Sequence, residues 1–289
     1  MAEPTAIRAI LGFDGSPAAT TAIEVGATLF PGAHAWITYL WTPPFASEGI
    51  RQRLWRGTAH VNEFVAAVER EGQFEANRLA AVGTTLARAA GWAAEPLVER
   101  SYGGEGLQFT QLAEKLHPDV VLVGSRGLGG AQAFLGSVSD MVVHYTPAPV
   151  LVSPHPLLMA EHAALADGPV LVGWDGSAGA QTALGAAERL FPGRDLHPVS
   201  VGDTAADGPG PVGREVVRLR TGRDHSSSAR TVADVLVGFA RGRDAALVVV
   251  GSRGRSTIRE ILLGSVALAT LHRAYRPVLV VPGRRPDNA

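Results

Sequence analysis

The sequence predicts two tandem α/β domains, each a doubly wound parallel sheet of five strands, and three observations predict it. Four short words recur in the same order along 289 residues, apolar runs alternate with helix-length segments, and the recurring polar residues fall at the ends of predicted strands.

The repeat comes first because it sets the domain count. Gly12-Phe-Asp-Gly-Ser16 returns as Gly173-Trp-Asp-Gly-Ser177, and Leu29-Phe-Pro-Gly32 returns as Leu190-Phe-Pro-Gly193, both offset by 161. Gly124-Ser-Arg-Gly127 returns as Gly251-Ser-Arg-Gly254 at an offset of 127, and Pro149-Val-Leu-Val152 returns as Pro277-Val-Leu-Val280 at 128. Two domains of one kind follow, over residues 1–153 and 169–289, with 154–168 read as a linker. The fall from 161 to 127 means that the second copy lacks 34 residues between its second and third words. The first copy has helix-spaced apolar residues over 60–91 there, whereas the second has a Gly/Pro-rich stretch at 204–213, so the second copy is read as lacking one helix.

Strands in copy one are expected near 6–13, 33–41, 95–100, 119–124 and 148–153. The Val120–Val123 run is continuously apolar, as a strand covered on both faces should be. Helices fit at 17–29, 60–91, 104–117 and 136–145, with Ser16 as N-cap and Pro17 as a tolerated first residue. Copy two repeats the plan with strands near 169–174, 195–201, 213–220, 245–251 and 277–282, and helices near 178–191, 226–242 and 264–275.

Composition limits the function classes. A hydrophobic fraction of 46% with 18% charged residues fits a packed core rather than disorder. The formal charge of −1 supplies no bulk field for nucleic acid or an anionic membrane, and Arg214, Arg218, Arg220 and Arg223 read as a solvated face. Without cysteine there is no disulfide framework, thiolate metal site or thiol nucleophile. No signal peptide or membrane-length apolar stretch is present, so a cytoplasmic location is expected. The histidines of the linker, His155 and His162, lack partners at metal-ligand spacing.

In a doubly wound sheet the ligand sits outside the carboxyl ends of the strands, where neighbouring connections diverge. Asp14 and Asp175 end the first strand of each copy, and Gly124 and Gly251 open the loop after the fourth. In copy two that loop reads Gly251-Ser252-Arg253-Gly254, nine residues, then Gly264-Ser265-Val266. Glycines let main-chain N–H groups approach an anion, and a helix opened by Gly-Ser offers it partial positive charge. Ser252, Ser265 and Arg253 add side-chain donors, and a triphosphate is a natural occupant. A plain turn explains an isolated Gly-x2-Gly, and Asp-Gly-Ser is also an ordinary helix-opening turn. Walker A and dinucleotide-binding glycine motifs are absent, as is a Gly-x-Ser-x-Gly elbow; the single lysine, Lys115, lies in a predicted helix. His144 and His272 recur on the last helix about two turns beyond the loop, where they are expected to pack or cap.

The pattern Gly-x2-Gly-x9-Gly-Ser, between an apolar strand and a Pro-Val-Leu-Val strand, resembles the ATP-binding signature of the universal stress protein family, over nearly the whole chain and twice. The resemblance implies a Rossmann-like or flavodoxin-like fold that binds ATP, with Asp14 and Asp175 beside the ribose or a phosphate-bound Mg²⁺ and the main chain of Gly12 and Gly173 nearby. It implies that the main chain of Leu40 and Val201 faces adenine, with Asp203 placed to accept from the amino group or ribose and Thr42 as its copy-one counterpart. It assigns the phosphates to Gly124, Ser125, Arg126 and Gly127 with Gly136, Ser137 and Val138, and to Gly251, Ser252, Arg253 and Gly254 with Gly264, Ser265 and Val266. Copy one departs in having eight residues, Leu128 to Leu135, where the pattern has nine, which ranks site two above site one. Pairing through Val150–Val152 and Val278–Val281 is implied as well, between copies or between subunits of a homodimer.

Three functions follow as expectations: a nucleotide-dependent regulatory protein with no dedicated catalysis, a slow ATPase or phosphotransferase using Asp175 to place Mg²⁺ or water, and an interaction module with an empty crevice. No catalytic base is identifiable, which favours the first.

Overall fold

The structure, a computed structural model, describes residues 6–43, 60–125, 135–202, 210–221, 228–254 and 263–283. In chain order the elements are β1 (Arg8–Gly12), α1 (Pro17–Leu29), β2 (His34–Trp41), α2 (Val61–Ala89), β3 (Ala93–Arg100), α3 (Glu105–Leu116), β4 (Val120–Gly124), α4 (Ser137–Tyr145) and β5 (Val150–Ser153). They continue as α5 (Met159–Asp167), β6 (Val170–Gly173), α6 (Ala178–Leu190), β7 (Leu196–Val201), β8 (Val217–Leu219), α7 (Ala229–Gly242), β9 (Leu247–Gly251), α8 (Ser265–Arg273) and β10 (Val278–Val281).

The described strands form one ten-stranded sheet in the order β3-β2-β1-β4-β5-β10-β9-β6-β7-β8. Pairing is parallel within each copy; at the junction β5 and β10 pair antiparallel, Val150 opposite Val280 and Val152 opposite Val278. The apolar final strands therefore satisfy each other inside one chain, which removes two exposed edges that would otherwise invite aggregation. The intrachain alternative is the one observed.

Alternate strand residues serve two cores. Ala9 and Leu11 of β1, Val120 and Leu122 of β4, and Leu247 and Val249 of β9 face a layer containing α1, α2, α5 and α6. Ile10, Val121, Val123, Val248 and Val250 face the layer of α3, α4, α7 and α8. The first layer carries the Leu-Phe-Pro-Gly words: Phe30 and Phe191, each nearly fully buried, stack with ring centroids 5.3 Å apart. This recurring word thus builds the contact between the copies.

Two expectations need adjusting. The stretch 154–168, read as a linker, carries helix α5; its Leu165 is fully buried, and Gly168 at its end lies against the main chain of Asp244 and Ala246, where a side chain has no room. The last predicted edge strand, 213–220, is ordered as a strand only over Val217–Leu219. The second copy does lack a counterpart of α2 among its described residues. Register aligns Ile37 and Tyr39 of β2 with Pro198 and Ser200 of β7, so the face that α2 covers in copy one bears smaller or more polar groups in copy two. Val216 packs against the first core from the segment before β8, and Arg214 pairs with Glu188 of α6 at 3.1 Å.

Candidate functional site

Strands β1 and β4 are neighbours, as are β6 and β9, so the Asp-Gly-Ser turns and the Gly-Ser-Arg-Gly turns share one carboxyl edge in each copy. Each aspartate shapes its own turn. Asp14 Oδ1 accepts from Ser16 N at 2.9 Å and Asp175 Oδ1 from Ser177 N at 3.0 Å. Gly15 and Gly176 take φ of 78° and 76°, which glycine adopts without strain. Ser16 and Ser177 then cap α1 and α6, each accepting at 3.2 Å from the N–H three residues on. The helix-opening reading is correct for both words, and it leaves each aspartate at the crevice.

The glycines after β4 and β9 have a packing reason. A Cβ built on Gly124 would stand 2.9 Å from the carbonyl of Ala18, and one on Gly251 would stand 2.8 Å from the carbonyl of Gly179. Each loop is thus pressed onto the first turn of the helix that follows the Asp-Gly-Ser word. Gly254 differs, being exposed, and a Cβ there would meet the Asp175 Oδ2 carboxylate oxygen at 2.8 Å. Asp175 and Gly254 are therefore in contact across the crevice.

Ser125 and Ser252 hold the loops in place. Ser252 is buried, its N–H donates to Val281 O at 2.7 Å, its hydroxyl accepts from Gly283 N at 3.1 Å, and its carbonyl accepts from Gly264 N at 2.6 Å. Ser125 repeats all three bonds, donating to Ser153 O and accepting from His155 N and Gly136 N. Sequence reasoning had these hydroxyls facing phosphate; a serine that tethers the next strand carries no separate local signal. Buried Leu135 and Leu263 pin the far ends of the loops, so both loops are anchored alike and the one-residue difference in length falls within 126–134 and 255–262, outside the described residues.

Helices α4 and α8 start at Gly136 and Gly264, which supply no capping side chain, whereas α1, α6 and α7 are capped by serine. Ser137, Val138, Ser265 and Val266 thus open helices whose N-cap residues offer no side-chain cap at the crevice. Arg253 lies beside Gly283, its Nε buried with no hydrogen-bond partner among the described residues. Gly12 and Gly173 end β1 and β6, and Leu40 and Val201, at the ends of β2 and β7, pack partly buried against the second core. Arg126, Gly127 and Asp203 lie outside the described residues.

Copy one carries groups that sequence reasoning did not connect. Tyr39 is half-buried at the carboxyl end of β2, and its phenol is held above the ordinary range by burial and then by the negative charges of Glu105, Asp14 and Glu75. Thr42 donates to Glu105 Oε1 at 3.2 Å. Of the recurring histidines, His144 places its Nδ1 2.8 Å from Asp140 O within α4. Among the described residues no three His, Asp or Glu side chains group to hold a metal, and no helix is long and apolar enough to cross a membrane.

A universal stress protein family model matches residues 7–154 and 222–282. The chain belongs to the universal stress protein family. A universal stress protein of Mycolicibacterium smegmatis is 32% identical over 201 residues, 62% of this chain and 67% of its own length. Matches to the other curated universal stress proteins span as little as 57% of their lengths. In overall fold the chain is similar to a universal stress protein from Archaeoglobus fulgidus, with a TM-score of 0.66, 21% identity and 98% of both chains covered. A universal stress protein in complex with cAMP is matched over 52% of this chain and 98% of its own at 20% identity, with a TM-score of 0.34, a likeness too distant to inform this chain's crevices.

Proposed function

We propose that this universal stress protein binds an adenine nucleotide, ATP with Mg²⁺, at the carboxyl edge of its sheet, and that it acts as a nucleotide-dependent regulatory protein with no dedicated metabolic reaction. The contact between Asp175 and Gly254 supports this most directly, because it sets a carboxylate, a glycine-bearing loop and the uncapped start of α8 around one crevice. Main-chain N–H groups at a helix mouth suit phosphate oxygens. One carboxylate suits Mg²⁺, which keeps most of its coordination for water and phosphate, so the aspartate of an occupied crevice, Asp14 or Asp175, would hold the ion jointly with the nucleotide. Leu40 or Val201, whichever belongs to the occupied crevice, would border the base.

The intrachain pairing of β5 and β10 supports regulation through one continuous sheet, in which occupancy at an edge biases the surface presented to a partner. A homodimer, if formed, must use a different surface from those strands. We place the action in the cytoplasm, where the nucleotide is supplied. The test is to denature freshly purified protein, chromatograph what is released, and titrate ATP into stripped protein. Released adenine nucleotide and saturable rebinding are expected; neither release nor rebinding would reject the reading. The same sample incubated with Mg²⁺ separates binding from hydrolysis, since the regulatory role predicts no ADP formation above that of an Asp175→Asn variant.

A further inference from the structure

We infer that the two crevices are unequal: the second copy takes the triphosphate, and the first excludes it because carboxylates carried by β3, α2 and α3 crowd its mouth. This rests on the nucleotide reading above and deepens it by assigning occupancy.

The comparison is controlled by the repeat. The Asp-Gly-Ser turns, their caps and the serine tethers are the same in both copies to within a few tenths of an ångström. What differs surrounds them. Helix α2 runs from the carboxyl edge back to the amino edge, and it lies over the first turn: a Cβ on Gly15 would meet Leu79 Cδ2 at 3.3 Å, and one on Gly83 would meet the Phe13 ring at 2.7 Å. Glu75 lies one helical turn before Leu79, paired to Arg78 at 2.6 Å, and it still acts on Tyr39 together with Glu105 and Asp14. Copy two has no described helix over Gly176, and Ser200 occupies the position of Tyr39.

The charge difference continues around the edge. Helix α3 brings Glu105 in its first turn, with Thr42 bonded to it, whereas α7 has no acidic residue in its first turn and starts from Ser228. Register aligns Glu99 with Leu219, since these oppose Leu40 and Val201. It likewise aligns Arg100 with Arg220. Arg100 is neutralised by Glu69 of α2 at 2.8 Å, while Arg220 is exposed and no carboxylate among the described residues pairs with it. A triphosphate carries several negative charges and feels each carboxylate within a Debye length of about 8 Å. Glu75, Glu99 and Glu105 repel it at the first mouth, and none has an acidic counterpart among the described residues of the second.

The test is the stoichiometry of ATP binding to the full chain, read by calorimetry with Mg²⁺ present, for the wild type, Gly254→Val and the double variant Glu75→Gln/Glu105→Gln. Both changes are isosteric, at an exposed and a half-exposed carboxylate, and circular dichroism checks that the fold is unchanged. The wild type is expected to bind one ATP per chain, Gly254→Val to lose it, and the double variant to gain a second equivalent within about tenfold of the first. Two equivalents of similar affinity in the wild type, one equivalent that survives Gly254→Val, or a double variant still at one would each overturn the inference and leave nucleotide binding standing. No binding in any of the three would instead reject the nucleotide reading itself.

Discussion

Phe30 and Phe191, the same residue of the two repeats, stack on each other at 5.3 Å between ring centroids and 25° between planes. The pair sits in the core where the two copies meet, and both rings are almost wholly buried. Replacing either by alanine should destabilise the chain by about 3–5 kcal/mol, as large-to-small changes of buried aromatics do. The double variant should fall short of the sum by roughly 0.5–1.5 kcal/mol, the coupling of the ring pair. Urea unfolding of the four proteins measures this; full additivity would mean that the rings act independently.

The tether from the phosphate loop to the last strand makes a second prediction. Ser252→Ala leaves the part-buried Gly283 N–H without its acceptor, at a cost of about 0.5–1.5 kcal/mol. Ser125→Ala, which orphans the N–H of His155, should cost a similar amount. Denaturant midpoints are the readout.

A third concerns two buried ionic residues. Glu161 of α5 and Arg276 before β10 line one cavity of about 10 Å³, and Glu161 Oε2 and Arg276 Nε are each buried without a hydrogen-bond partner. Arg276 also donates to Ala245 O at 2.5 Å and faces Asp244 at 3.3 Å. Arg276→Met should destabilise by about 1–3 kcal/mol, because it leaves the Ala245 carbonyl without its donor and removes the pairing with Asp244. Chemical denaturation of wild type and variant measures the loss, and an unchanged midpoint would mean that these bonds contribute nothing.

The acid side of the stability profile gives a fourth. Burial and the neighbouring Arg273 hold His272 below its usual value of 6.5, with Asp140 opposing them. The unfolded chain therefore takes up a proton near pH 6.5 that the folded chain declines, so stability is full above that pH and is lost as pH falls through the lower folded value. His272→Gln should flatten the decline below pH 6.5 in melting temperature against pH.

Most of the fold was legible because the repeat and the apolar runs are local signals: Val120–Val123 and Leu247–Val250 could only be strands covered on both faces. Helix α5 was not legible, since its nine residues pack under the edge of the second copy through Leu165, a contact between residues distant in sequence. The β5–β10 pairing was foreseen in kind but left between two partners, because the same strands would serve an intrachain or an interchain junction. At the site, the structure brings the predicted turns to one sheet edge and gives some of their residues packing roles that the motif does not signal. Gly251 was taken as room for an anion, yet the main chain of Gly179 fills that room, so a bulky residue there would damage the fold before it reported on binding. Gly254, exposed and facing the Asp175 carboxylate, is the glycine whose side chain would enter the crevice.

The most direct test is therefore calorimetric titration of ATP into nucleotide-stripped protein, wild type beside Gly254→Val, with melting temperatures taken on the same samples. Saturable binding in the wild type that weakens at least tenfold in the variant, at a melting temperature within a few degrees, is the predicted result. Equal affinity in the two proteins, or no binding in either, would contradict the account.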